Sequence, residues 1–207
     1  MNTIEITCPN CGKKYNIIPV YATGVYLNGM PKITMKDFTS MMVICDCGLL
    51  VTARNRNADE NVKILPSSAY QDALHAKYDS EVEQKLALFD ILYSLPQIDM
   101  YYAQWFTECN NQTKRLAAIT NAITRIKTKQ DVQIYLIRGE AMYGVNDTLD
   151  LILTPQRRLI DLYRQKGDFA AARLQLKQLR KKPYEIGWDE YMRTELNLIR
   201  SQNSDMI

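Results

Sequence analysis

Two short stretches, CPNCG and CDCG, hold the residues whose types and spacing best fit a definite chemistry. Cys8 and Cys11 enclose Pro9-Asn10 and are followed by Gly12; Cys45 and Cys47 enclose only Asp46 and are followed by Gly48. A CxxCG knuckle turns the backbone tightly enough for two thiolates to face one point, and glycine tolerates the positive φ that such a turn requires. Four thiolates are the number that fills a tetrahedral structural zinc site, with no position left open for water or substrate. The 33 residues between the pairs contain no Cys or His that could compete.

Other readings of the same residues stand beside this one. Cys45 and Cys47 could be two reduced thiols beside a turn. A redox CxxC normally opens a helix after a strand, whereas Cys8-Pro-Asn-Cys11 precedes a β-like run. The surrounding sequence favours hairpins. GVYLNGMPKI is a hairpin candidate, with Asn28-Gly29 suited to a two-residue turn. MMVIC and LLVTA read as β-rich runs flanking the second pair. Two knuckles on short hairpins resemble a zinc ribbon over residues 1 to about 56. The departure is the CxC pair, where most ribbons use CxxC. The resemblance implies structural zinc on Cys8, Cys11, Cys45 and Cys47.

Elsewhere the sequence offers little catalytic chemistry. Cys109 lies in WFTECNNQTK at the expected end of a helix, and the one histidine, His75, lies in AYQDALHAKY. Neither carries a local signature of a nucleophile or its base, although a Cys/His pair is not ruled out by sequence. There is no phosphate-cradling GxxxxGK[ST] and no GxGxxG. An enzyme is therefore disfavoured.

The elements that must position the cysteines follow from the rest of the 207 residues. No stretch approaches the eighteen apolar residues of a membrane span. The first residues do not read as a secretory signal, so the expected location is the cytoplasm. Five cysteines in that setting suggest reduced thiols rather than a disulfide framework. A segment of about 55 residues buries little apolar area by itself, and zinc can add on the order of 10 kcal/mol to the folding of such a module. The expected fold class is α+β, with a zinc ribbon at 1–56, a linker at 57–66 and a mainly α-helical domain at 67–207.

After Pro66 the periodicity becomes helical. SEVEQKLALFDILYSLP opens on Ser80 with Glu83 three residues on, a capping box, and Pro96 is its stop. Asp99 is the expected cap of MYYAQWFTEC, which Asn110-Asn111 break, and Thr113 precedes KRLAAITNAITRIK. DVQIYLIRGEAMYGVN alternates like a strand among helical neighbours and is read as helix. In LTPQRRLIDLYRQKGDFAAARLQLKQLRKKP, Thr154 and Pro155 are the expected N-cap and first helical residue. Gly167 closes that helix in the left-handed conformation, and Asp168 caps the next. This hairpin resembles a tetratricopeptide repeat, with Leu159, Tyr163, Gly167, Asp168, Phe169 and Ala172 at its pattern positions. Ile160 departs from the pattern, as does Pro183, one place early. A single repeat cannot bury its own apolar face, so flanking helices, including one near 189–201, are expected to stack on it. The hairpin is then either a core-forming pair or one wall of a groove for a partner. Zinc ribbon followed by such helices resembles a pattern in little-characterised bacterial proteins, and that pattern implies no defined activity.

Charge is unevenly spread. Residues 151–182 carry nine basic and two acidic side chains, whereas residues 58–150 carry nine and thirteen. Arg157, Arg158, Arg164, Lys166, Arg173, Lys177, Arg180, Lys181 and Lys182 are either a solvated face or a surface for an acidic partner or phosphate. Two functions follow. The first is a non-enzymatic adaptor that binds a protein partner through its helices. The second is a nucleic-acid-binding regulator using Lys13-Lys14, Arg54, Arg56 and the basic helices, whose binding would weaken with salt.

Overall fold

The structure is a computed structural model that describes residues 3–23, 32–53, 58–95, 98–128, 148–179 and 188–205. The fold is α+β, with small antiparallel two-stranded sheets followed by a mainly helical region. It divides into two compact units: Met1–Ala22 with Ile33–Asn111, and Gln112–Ile207 with Thr23–Lys32. The expected pieces 28–29, 54–56, 131–143 and 180–183 lie outside the described residues.

In the first unit, β1 (Ile4–Thr7) pairs with β2 (Lys14–Ile17), with Ile4 opposite Ile17 and Thr7 opposite Lys14. β3 (Met42–Ile44) pairs with β4 (Leu50–Thr52), with Met42 opposite Thr52 and Ile44 opposite Leu50. Each hairpin carries one cysteine pair at its turn, as the sequence implies. A short helix that the sequence reading did not anticipate, α1 (Met35–Ser40), precedes β3. Thr34 caps it by accepting the Asp37 N–H, and Glu108 holds the Met35 N–H from across the unit at 2.9 and 3.0 Å.

The stretch 57–66, expected as a linker, instead contains helix α2 (Ala58–Ile64). It is held because Asn61 is buried and donates to the Tyr93 hydroxyl, which also meets Thr52 of β4. Helices α3 (Ser68–His75), α4 (Glu81–Tyr93) and α5 (Ile98–Glu108) complete the unit. Ser80 caps α4 as expected, accepting the Glu83 N–H. α5 begins one residue before Asp99, whose carboxylate therefore sits in the first turn, where the helix dipole favours it. Asn110, at φ 54°, ends that helix.

One apolar core runs from the hairpins into the helices. Ile6, Ile17, Met42, Leu49, Leu50 and Val51 pack with Tyr70 of α3 and with Leu88 and Leu92 of α4, and Cys8 and Cys45 belong to the same cluster. The hairpins are thus not a closed module set apart from the helices. Burying such residues stabilises by roughly 1.5–3 kcal/mol per large side chain, so helices α3 and α4 contribute directly to holding the cysteine turns.

The second unit contains α6 (Gln112–Lys127), α7 (Thr148–Gln165), α8 (Phe169–Leu179) and α9 (Trp188–Arg200). Thr154 and Pro155 do not start α7; both lie inside it. Pro155 removes one N–H, but the preceding TLDLIL is rich in good helix formers and carries the helix through. The turn into α8 is as expected. Gly167 has φ 84°, the Gly167 and Asp168 N–H groups bond Arg164 and Tyr163 carbonyls at 2.9 Å, and the Asp168 carboxylate accepts the Ala171 N–H. Ile160, Ala172, Leu176 and Leu179 pack against Tyr191, Met192 and Ile199 of α9. Among the described residues no helix is long and apolar enough to cross a membrane.

Candidate metal centre

The two hairpin turns bring Cys8, Cys11, Cys45 and Cys47 together, with all four sulfurs within 4.8 Å of one another. Two close approaches run between the hairpins: Cys8 to Cys47 at 3.6 Å and Cys11 to Cys45 at 3.3 Å. A tetrahedron of sulfurs around an ion at the zinc–thiolate distance has edges of about 3.8 Å. The observed spacing is therefore close to what a chelated ion needs and far beyond a disulfide bond. The four free cysteines could hold a metal ion.

Each turn is shaped by local backbone bonds. In the first, the Cys8 N–H reaches Lys13 O at 2.8 Å and the Gly12 N–H reaches Cys8 O at 2.9 Å, with Gly12 at φ 75°. In the second, the Cys45 N–H reaches Leu49 O at 2.9 Å and the Gly48 N–H reaches Cys45 O at 2.7 Å, with Gly48 at φ 88°. The CxC spacing is accommodated because exposed Asp46 projects to solvent while the cysteines on either side turn inward.

The surroundings of the sulfurs suit thiolates. Backbone N–H groups of Cys11 and Asn10 point at Cys8, that of Lys13 at Cys11, and that of Cys47 at Cys45. Burial pushes the Cys8 thiol up to about 12 despite those donors. Burial also acts to raise Cys45. The Tyr15 hydroxyl, the Cys47 N–H and the Cys11 and Cys47 thiols outweigh it and bring Cys45 down to about 6. Nearby Cys45, with burial, raises the Tyr15 hydroxyl in turn to about 12, so that group keeps its proton. Among the described residues no partner lies in hydrogen-bonding geometry to that buried hydroxyl, so its link to Cys45 is electrostatic proximity. The backbone donors orient thiolate ligands and offset part of the negative charge they collect.

Two further contacts went unnoticed in the sequence. Tyr70 of α3 is fully buried, and its hydroxyl accepts the Leu50 N–H at 2.7 Å and donates to Gly48 O at 3.1 Å. It thereby fixes the backbone immediately after the second cysteine pair. At the surface, Lys13 forms an ion pair with Asp46, joining the tips of the two turns. No local pattern marks Tyr70. For Lys13 and Asp46, the available signal was that each flanks a ligand and the two are opposite in charge.

The remaining sequence-derived candidates are dispersed. Cys109 is exposed just beyond α5, and His75 is exposed at the end of α3. Lys14 pairs with Glu5 at 2.8 Å. Arg157 is half-buried, with its guanidinium 5.1 Å from the centre of the Tyr191 ring. Arg158 and Arg164 are buried and do not belong to an exposed basic face. Arg164 is taken up by Asp161, by Glu195 at 3.3 Å and by two backbone carbonyls. Arg173 and Lys177 are exposed one turn apart on α8, whereas Arg180 and Lys181 lie outside the described residues. Comparison with protein-family models, with curated proteins and with solved structures finds no match.

Proposed function

We propose that the protein is a non-enzymatic, cytoplasmic adaptor in which Cys8, Cys11, Cys45 and Cys47 hold a structural zinc ion and the tetratricopeptide-like helices bind a protein partner. The observation that carries this reading is the donor set: four sulfurs converge, two of them buried in the apolar core. Soft thiolates in a tetrahedral arrangement suit zinc. When all four positions are protein sulfurs, the ion serves as a cross-link and offers no open site for chemistry. Its role here is to tie β1–β2 to β3–β4. The support for partner binding is the stacked helical hairpin of α7 and α8 with α9 beside it.

The nucleic-acid reading draws less support, since Arg158 and Arg164 are buried and Lys13 and Lys14 are each paired with an acid. Elemental analysis of the purified chain tests the metal: one zinc per chain is expected, and none would remove the basis of the reading. Cross-linking and mass spectrometry in the native host test the partner; recovery of nucleic acid in place of protein would favour the second reading.

A further inference from the structure

A second polar site lies in the helical unit, and nothing in the metal centre accounts for it. Arg164 of α7 is fully buried, yet its Nη1 donates to the carbonyls of Asn203 at 2.9 Å and Asp205 at 2.6 Å. Arg115 of α6, also buried, donates through Nη2 to the carbonyl between them, Ser204, at 3.2 Å. Three successive main-chain carbonyls are therefore received by two arginines from two different helices. Beneath them, Asp161 accepts from both Arg164 and Gln165, and Glu195 lies 3.3 Å from Arg164 Nε.

The segment held in this way is ill suited to hold itself. Residues 201–205 are Ser, Gln, Asn, Ser and Asp, with no apolar side chain, and all are exposed or half-buried. The chain reverses within this segment at Gln202, φ 53°, in a turn closed by the Asn203 N–H on Leu198 O at 2.9 Å. Buried guanidiniums need acceptors, and an unsatisfied one is costly. The helices thus supply the donors, while the segment filling the site offers little beyond its backbone carbonyls. Recognition of carbonyls reads no side chain. The segment's one described acid, Asp205, has its carbonyl on Arg164 and its carboxylate among the charges acting on Arg115, beside Asp161, so an acidic residue suits that position.

We infer that Arg115 and Arg164 form a binding site for the main chain of an extended acidic peptide, occupied within the molecule by Asn203–Asp205. This deepens the adaptor reading, on which it rests, by naming a site and a class of partner. The segment acts as a strap that an incoming acidic peptide displaces.

The test uses a chain lacking residues 203–207, checked for native helicity and cooperative unfolding, and a labelled synthetic peptide of residues 201–207 followed by fluorescence anisotropy. Saturable binding is expected, at least tenfold tighter than to the full chain. It should weaken at least tenfold with Arg164→Lys or Arg115→Gln, and with the peptide carrying Asp205→Lys. A peptide with its residues scrambled but its acid kept in place should bind within a few-fold. If the shortened chain does not fold, the full chain carrying Asp205→Lys is used; it should bind the unaltered peptide better than the wild type does. A folded receptor with no saturable binding up to millimolar peptide overturns the inference, as does equal binding to the full chain. Recovery of a protein partner together with such a failure would leave the adaptor reading standing and this site excluded.

Discussion

The hydroxyl of Tyr70 accepts the backbone N–H of Leu50 at 2.7 Å, joining helix α3 to the strand that leaves the second cysteine turn. The same oxygen donates to Gly48. A helix beyond the two hairpins thus bears on the geometry of the four clustered cysteines. Tyr70→Phe keeps the ring's packing but leaves a buried N–H and a carbonyl without that partner. We expect a loss of about 1–3 kcal/mol, read from urea unfolding, together with faster zinc transfer to a chromogenic chelator. Unchanged transfer would show that the turn is rigid without α3.

The two knuckle glycines are predicted to differ. Both have positive φ, but a Cβ at Gly12 meets open space, whereas one at Gly48 would lie 2.8 Å from Leu74 Cδ2. Gly12→Ala should cost about 1–2 kcal/mol from backbone strain alone. Gly48→Ala should cost more than Gly12→Ala, because the Leu74 methyl must shift as well. Denaturation midpoints of the two variants decide the order, and equal values would contradict it.

Removing the proposed zinc should act locally. Cys11→Ser, or a strong chelator applied to the wild type, is expected to abolish stoichiometric zinc and raise amide exchange first in β1–β4 and α3. Amides of α7–α9, in the other compact unit, should remain protected longer. Acid should release the ion as well, since protons compete for the thiolates. Simultaneous loss of protection in both units would argue against a local cross-link.

Glu195 gives the helical unit a pH dependence. Its carboxyl is fully inaccessible to solvent, and burial, reinforced by Asp161 and only partly opposed by Arg164, raises it from 4.5 to about 7. The folded state therefore holds this proton where the unfolded chain has released it. The contribution is complete below about pH 4.5 and gone above about pH 7. Relative to Glu195→Gln, the wild type should lose up to roughly 3 kcal/mol across that window. Unfolding curves of both chains at pH 5 and pH 8 measure the difference, and parallel behaviour would refute it.

Arg173 and Lys177, one turn apart on α8, are with Lys166 the described residues of the basic segment that remain exposed. Should generic DNA or RNA bind, replacing both with Gln ought to weaken binding and flatten its salt dependence by about two phosphate contacts. Filter binding at two salt concentrations reads this directly. Binding that persists unchanged in the double variant would move any nucleic-acid surface elsewhere.

What the sequence made legible was what depends on near neighbours. The cysteine turns, with Gly12 and Gly48 behind them, are local chelating geometry. Ser80 with Glu83, and Gly167 with Asp168, are caps whose partners lie within a few residues. Helix α1 had a readable signal as well, in Thr34 and Asp37. Tyr70 had none, because its value depends on Gly48 and Leu50, some twenty residues upstream. Arg164 was misleading for the same reason. In YRQKGD it looks like a solvated helix residue, and only the distant Glu195 and the segment after α9 make it an interior one. Thr154-Pro155 misled differently, since a good start signal lay inside a longer helix.

Both hairpins contribute sulfurs to the cluster, and this bears on how the chain matures as it is made. The first knuckle leaves the ribosome more than thirty residues ahead of the second. During that interval two thiolates are available without their complement. An ion captured early would have to be carried, half-coordinated, until its remaining ligands emerge; otherwise loading must wait until both turns have been synthesised. In that second case, metal arriving after both turns exist would serve as well as metal present earlier.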